Sequence, residues 1–277
     1  MEGVADGPAF AMRVHSLAHR TELNLARYEG EVCDWDDYVA VKTPSHPEYW
    51  WGNYIVFSSA PRSGDLKRWS AIFRKEYSYY PEIRHMAFTW DLAVAEQGET
   101  GEFEAAGFEL DKAEFLYASR VNVPPKPNTR VMVRPVASDS EMEQAIELQM
   151  LTSGEGMDKA EYMAFIRRRM AVYRGMAGAG KGNWFGAFLG DRLAGHLGLF
   201  HDGKAGLIFD VATHPDFTRQ GICGTLVHEA SARALADYHL ETLVLEADPG
   251  YHAKRIYESV GFEPGETTYS LEWSRGS

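Results

Sequence analysis

Three prolines within four residues, Pro124, Pro125 and Pro127, interrupt the chain near its middle in the segment Val121–Arg130. Proline fixes φ, lacks a backbone donor and disfavours helix in the residue before it, so the segment reads as an extended linker. A chain of 277 residues has room for one large domain or two ordinary ones. The prolines favour two, 1–125 and 126–277, each large enough for a core of its own.

The two halves echo one another. Phe103–Glu109 (FEAAGFE) and Tyr257–Glu263 (YESVGFE) share Glu, Gly, Phe and Glu at the same offsets, with Phe standing for Tyr at the first. A strand-like run follows each, AEFLYAS and TTYSLEW. Upstream of the first echo, Asp65–Tyr77 has helical periodicity and RHMAFTWD reads as a strand. The expectation is two diverged copies of one module.

The second half carries the clearer signals. Val131–Val133 is a short strand; Ser138 opens a helix to about Leu151, with Glu141 at the capping-box position. A further helix runs from about Lys159 to Arg174. The runs NWFGAFL, RLAGHLGLF and AGLIFDVA are separated by Gly190-Asp191 and Asp202-Gly203, hairpin signals that predict an antiparallel meander. A helix over about Gly221–Tyr238, the strand ETLVLEA, a helix over about His252–Val260 and a final hairpin complete the half. Strand, helix, strand in succession implies a parallel crossover within a mixed sheet.

Composition narrows the function classes. The chain has 28 Lys+Arg against 40 Asp+Glu, net −12. Residues 1–125 hold 12 and 20 of these, net −8, and the remainder 16 and 20, net −4. Phosphate backbones need a basic face, so a nucleic-acid partner is not expected. Two cysteines, Cys33 and Cys223, form no disulfide framework, and no basic, apolar leader or long apolar span occurs, so a soluble cytoplasmic protein without membrane contact is expected. His196 and His201 have no metal-ligand spacing, and no metal is expected. Tyr49-Trp50-Trp51 reads as packing more than as an aromatic pocket, and Arg167-Arg168-Arg169 as a solvated helix face.

The segment with chemistry is FDVATHPDFTRQGICGTLVHEA, Phe209–Ala230. A strand ends near Pro215, a loop carries Arg219, Gln220, Gly221 and Gly224, and a helix follows. Free N–H groups of a first helical turn, a helix dipole and a nearby guanidinium make an anion site that suits a diphosphate. The same glycines also suit an ordinary strand-to-helix turn. Neither GxGxxG nor GxxxxGK[ST] is present.

This segment resembles motif A of the GCN5-related N-acetyltransferases (GNAT), in which a V-x-P-like strand end precedes an R/Q-x-x-G-x-G/A loop. Thr213-His214-Pro215 stands at the first pattern and Thr218-Arg219-Gln220-Gly221-Ile222-Cys223 at the second, with Thr218 and Cys223 departing from it. Ala253–Phe262, AKRIYESVGF, is similar to motif B, A-x-x-L-Y-x-x-x-G-F, although Gly250 replaces a frequent Asn. The likeness covers about 130–273 well and about 35–120 in outline. It implies an α/β (α+β) fold of two GNAT-like modules, each a mixed, mostly antiparallel twisted sheet flanked by helices.

In the C-terminal module the resemblance implies a splayed strand pair, Leu207–Thr213 and Glu241–Ala247, holding acetyl-coenzyme A. Backbone at Val211, Ala212 and Thr213 would bind pantetheine, and the loop Thr218, Arg219, Gln220, Gly221, Ile222, Cys223 and Gly224 the diphosphate, with Thr218 capping the helix. Tyr257 would line the thioester end and protonate the departing thiolate. Acetyl transfer to a small-molecule amine by direct attack follows, with Asp210 and Asp248 preferred as base over Glu246, His214 and His252. The Glu that some family members carry on strand four would fall at Leu207, and Phe103 has no proton to give. A non-catalytic coenzyme A sensor and a longer acyl donor are the alternatives, and the protein is expected as a monomer or homodimer.

Overall fold

The computed structural model describes residues 12–152, 159–247 and 253–274. Helix α1 (Leu17–Glu29) is followed by strands β1 (Glu31–Asp34), β2 (Tyr38–Lys42) and β3 (Tyr54–Phe57), helix α2 (Asp65–Glu76), strand β4 (His85–Trp90), the short helix α3 (Gly101–Ala105) and strand β5 (Glu109–Ala118). Next come β6 (Met132–Pro135), α4 (Asp139–Thr152), α5 (Lys159–Gly178), β7 (Gly182–Leu189), β8 (Arg192–His201) and β9 (Ala205–Thr213). The last elements are α6 (Ile222–Asp237), β10 (Thr242–Ala247), α7 (Ala253–Val260) and β11 (Glu263–Ser274).

The chain forms two compact units, one up to Lys112 with residues from Thr267 onward, the other Ala113–Glu266. They do not divide at the proline segment, which lies inside the second unit. Nor is there a C-terminal hairpin: β11 is one strand of 12 residues. Its end, Ser270–Ser274, pairs antiparallel with β4, whereas Glu114–Ala118 of β5 pairs antiparallel with β10. Each unit therefore includes part of a strand from the other half of the sequence.

In the first unit β1, β2 and β3 pair antiparallel, β3 and β4 parallel. Alternate residues feed two cores, as the pleat dictates. Tyr38, Ala40, Ile55, Phe57 and Phe88 join α2, and Val39, Val41, Tyr54, Val56 and Ala87 join α1. Trp69 of α2 is fully buried and stacks on Phe57 at 3.9 Å between ring centroids, with Phe88 and Phe103 edge-on or tilted around it. Trp50 stacks on His85 and Trp51 packs edge-on to Tyr54, so the Tyr-Trp-Trp run serves packing.

In the second unit β6, β7, β8 and β9 form the antiparallel meander, and β9 pairs parallel with β10. Gly190 at φ +60° and Gly203 at φ +102° supply the left-handed turn positions. Ser138 and Glu141 cap α4 reciprocally: Glu141 N–H donates to Ser138 Oγ (3.2 Å) and Glu141 Oε2 accepts from Ser138 N–H (3.2 Å). Helices α6 and α7 pack on one core, with Leu226, Val227, Ala230 and Val260 fully buried. Helices α4 and α5 pack on β8 and β7.

Two stability predictions follow from these contacts. Trp69→Ala is expected to destabilise the protein by about 3 to 5 kcal/mol, and Trp69→Phe by clearly less, since it keeps the ring stack and removes a buried indole N–H that has no partner. Urea midpoints of the two variants check this. Arg134, aided by the Ala137 and Ser138 N–H groups, holds the Glu141 carboxyl down from the ordinary 4.5 to about 2. A carboxyl depressed in the folded state stabilises above its unfolded value and ceases to as pH falls through the folded one. Between about pH 4.5 and 2 the wild type should therefore lose stability that Glu141→Gln never had, a difference visible in urea titrations across that window.

Candidate active site

The site begins with a fault in the ladder between β8 and β9. His196 faces Ala212 and Gly198 faces Phe209, so Leu197 stands against both Asp210 and Val211. This is a β-bulge, and Asp210 sits in it at φ +50°, the left-handed region that Asp tolerates better than most non-glycine residues. Helix α5 packs a cation beside it. Arg169 lies 3.8 Å from Asp210 Oδ2, stacks over the rings of Phe165 and Tyr173 at 5.4 Å each, and donates to the Tyr173 hydroxyl. Of the Arg167-Arg168-Arg169 run, only Arg169 turns inward; Arg167 pairs with Glu143 on the exposed face.

Beyond the bulge the parallel pair opens. Its last paired residues are Ile208 and Leu245, yet β9 continues to Thr213 and β10 to Ala247. A cavity of about 360 Å³ lies at this end of the strands. Of the residues expected to hold coenzyme A, Val211, Thr213, Thr218, Arg219, Gly221, Ile222, Cys223, Gly224 and Tyr257 all line it. Ala212 pairs with His196 in the ladder, and Gln220 turns its side chain to the Asp216 carbonyl (3.3 Å).

Arg219 at φ +59° and Gly221 at φ +78° curl the loop so that α6 starts at its rim. Gly221 is the N-cap and no side chain caps the helix. Thr218 therefore does not cap α6; its hydroxyl donates to the Pro215 carbonyl (3.2 Å), closing the preceding turn. The N–H groups of Ile222, Cys223 and Gly224 precede the first helical hydrogen bond, which Thr225 makes to Gly221, and so remain available to an anion. Burial pushes the Cys223 thiol up to about 12, which disfavours the thiolate that a nucleophile requires.

One wall was not foreseen. Pro124, Pro125 and Lys126 of the proline segment line the same cavity. Asn128 pins the segment there, donating from its backbone to Thr225 Oγ1 (2.8 Å) and from Nδ2 to the Gln220 carbonyl (2.9 Å). A side chain at Gly221 would meet the Lys126 carbonyl oxygen at 2.2 Å, so glycine is required on space as well as on φ. Only the unusual density of prolines hinted at a packed role.

The remaining candidates separate. Asp210 is at the bulge, ion-paired. Glu246 is exposed on β10, and His214 Nδ1 accepts from Asp216 N–H (3.2 Å) away from the cavity lining. Asp248, Gly250 and His252 lie outside the described residues. Leu207 is buried opposite Val244. His196 is fully buried against Gln149 Oε1 (3.0 Å), and burial pushes its imidazole down to about 3, so it stays neutral. His201 is at the far end of β8, its ring tilted against Tyr238 at 4.4 Å. Among the described residues no group of three or more His, Cys, Asp or Glu is placed to hold a metal, and no helix is long and apolar enough to cross a membrane.

The first unit has the corresponding turn between β3 and α2, but carboxylates of its own chain bind the N–H groups just ahead of the helix. The N–H groups of Arg62, Ser63 and Gly64 donate to Asp65 Oδ2, Glu99 Oε2 and Glu102 Oε2, each at 2.9 Å, and Ser63 Oγ donates to Glu102 Oε1 at 3.1 Å. Phe103 is buried against Trp69.

Comparison with known proteins agrees with this geometry. Residues 151–262 match the family model described as Acetyltransferase (GNAT) family. The chain is similar in structure to a functionally unknown conserved protein from Staphylococcus epidermidis (13% identity, 90% of this chain and 95% of that one, TM-score 0.71). It is also similar to a GCN5-related N-acetyltransferase from Kribbella flavida (16%, 94% and 95%, TM-score 0.65). A tandem GNAT protein from the clavulanic acid biosynthesis pathway matches at 12% identity over 81% of this chain and 76% of that one, with a TM-score of 0.52. No curated protein sequence matches the chain. At these identities the structural likeness is one of fold; the sequence match gives residues 151–262, which supply most of the cleft, as a GNAT acetyltransferase domain.

Proposed function

We propose that the second unit transfers an acetyl group from acetyl-coenzyme A to a small-molecule amine, with the first unit a diverged copy that binds no coenzyme. The observation that carries this is the cavity where β9 and β10 part, with open helix N–H groups at one end and a buried tyrosine in its lining. The coenzyme would bring a thioester as acyl donor and a diphosphate as anchor. The N–H groups of Ile222, Cys223 and Gly224, with Arg219 and Lys126 as cations at the same cavity, suit the diphosphate.

Within this reading the chain supplies three further things. Freed β9 backbone around Val211 and Thr213 can hydrogen-bond the pantetheine arm, and an N–H there can stabilise a developing oxyanion, an effect of about 3 to 4 kcal/mol in other acyl transferases. Tyr257 can donate its phenolic proton to the sulfur as the C–N bond forms and the C–S bond breaks. The amine must shed its ammonium proton before attack, and Asp210 is the candidate carboxylate standing at the bulge itself.

Calorimetry with coenzyme A and an amine panel with acetyl-coenzyme A test the reading: binding together with amine-dependent thiol release is expected, and a protein that binds no coenzyme overturns it. Tyr257→Phe should lower turnover by about a hundredfold or more with coenzyme affinity little changed. Arg219→Ala should weaken coenzyme binding by about tenfold, less at high salt. Arg169→Ala should cut turnover about tenfold at nearly constant coenzyme affinity, the scale of one strained backbone position released. Arg169→Lys should not restore it, because a lysine lacks the flat group that stacks on Phe165 and Tyr173.

A further inference from the structure

The first unit contains a larger cavity, about 550 Å³, that shares no residue with the cleft described above. This is within the usual size of small-molecule sites, roughly 300 to 1,000 Å³. Its apolar walls are Phe73 and Tyr77 at the end of α2, Tyr80 and Ile83 of the following loop, Met86 of β4 and Trp273 of β11. Four of these six are aromatic, so the space suits a flat, apolar body.

The polar part of the lining is one-sided in charge. Arg74 and Arg84 both border the cavity; among the described residues no Asp or Glu does, and neither guanidinium has a carboxylate partner. Arg84 makes a single hydrogen bond, from Nη1 to the Pro81 carbonyl at 2.8 Å. Arg74 stands in the last turn of α2, where a cation is favoured anyway; Arg84 precedes β4, where no helix end accounts for it. Two guanidiniums without a carboxylate partner among the described residues thus border one aromatic cavity.

The third polar group, His85, is fixed and uncharged. Its ring is stacked on Trp50, and Nε2 lies 3.1 Å from the Asn53 carbonyl, which only accepts, so Nε2 carries the proton and Nδ1 is the bare acceptor. Burial pushes this imidazole down to about 4. The cavity lies at the carbonyl end of α2, so no helix N–H groups face it, and the two arginines must hold any anion against the partial negative charge of that helix end. That favours a single compact acid group over a polyphosphate.

We propose that this cavity binds a small aromatic monoanion, a carboxylate or sulfonate on a flat ring system, with the acid group on Arg74 and Arg84 and the ring against Tyr80 and Trp273. Guanidinium and carboxylate match in a planar, two-bond geometry that ammonium groups do not offer. The proposal does not depend on the acetyltransferase reading.

The test is titration of the full-length protein with 2-naphthoate, followed by calorimetry and tryptophan fluorescence. Saturable binding is expected, at least tenfold tighter than for the neutral 2-naphthamide, with about a tenfold loss in Arg74→Gln and in Arg84→Gln and no measurable binding in the double variant. Both arginines are exposed, so the variants should keep the wild-type circular dichroism and thermal midpoint, and Trp273→Phe should reduce the fluorescence change while leaving calorimetric binding. Saturating coenzyme A should leave the naphthoate affinity unchanged. Absence of saturable binding at millimolar probe, equal affinity for the amide, indifference to the arginine substitutions or competition by coenzyme A would each overturn the proposal.

Discussion

Because β9 and β10 run parallel, the chain cannot join them by a turn and must cross over through α6. That connection delivers the start of a helix to the same end of the strands where their pairing stops at Ile208 and Leu245. An opening between two strands, unpaired backbone along one edge and a set of free N–H groups at its rim are thus consequences of a single pairing choice. Glycine at 221 and the segment Pro124–Asn128 then shape the opening, and α7 places Tyr257 in its lining.

The bulge is the costly part of this arrangement. A left-handed non-glycine residue and an interrupted ladder cost stability, and the surroundings offset it with the Arg169 ion pair and the two rings beneath that guanidinium. Such support makes the bulge a fixed shape rather than a fluctuation, which is what a backbone donor needs to meet developing charge without reorganising. In the proposed reaction Arg169 would act through Asp210 as a positioning residue.

Much of this was written locally in the sequence. Hairpin dipeptides at Gly190 and Gly203, the Ser138/Glu141 capping box and the loop around Gly221 concern residues a few positions apart, and their geometry follows from the residues themselves. What was not legible is non-local. Nothing in β5 or β11 states which strand each will pair with, since both have the alternation of any half-buried strand and the partner is chosen by the rest of the sheet. Asp210 carries no mark of a bulge, and the inward member of three consecutive arginines is decided by which one α5 turns toward β9. Thr218 was read as a cap from its residue type, but the two left-handed positions after it carry the chain past the point where its hydroxyl reaches α6.

The carboxylates of Glu99 and Glu102 at the β3–α2 turn give the first unit a different relation to anions. A group tethered by the chain competes with any free anion at an effective concentration set by the tether, of millimolar order or above for short connections. The ordering entropy of this internal counter-ion is met once, during folding, rather than at each encounter. Where the second unit presents its helix N–H groups to whatever diffuses in, the first closes the turn ahead of α2 as a latch between two distant stretches of its own chain. Part of its acid excess is therefore architecture, carboxylates that close a turn while remaining at the surface.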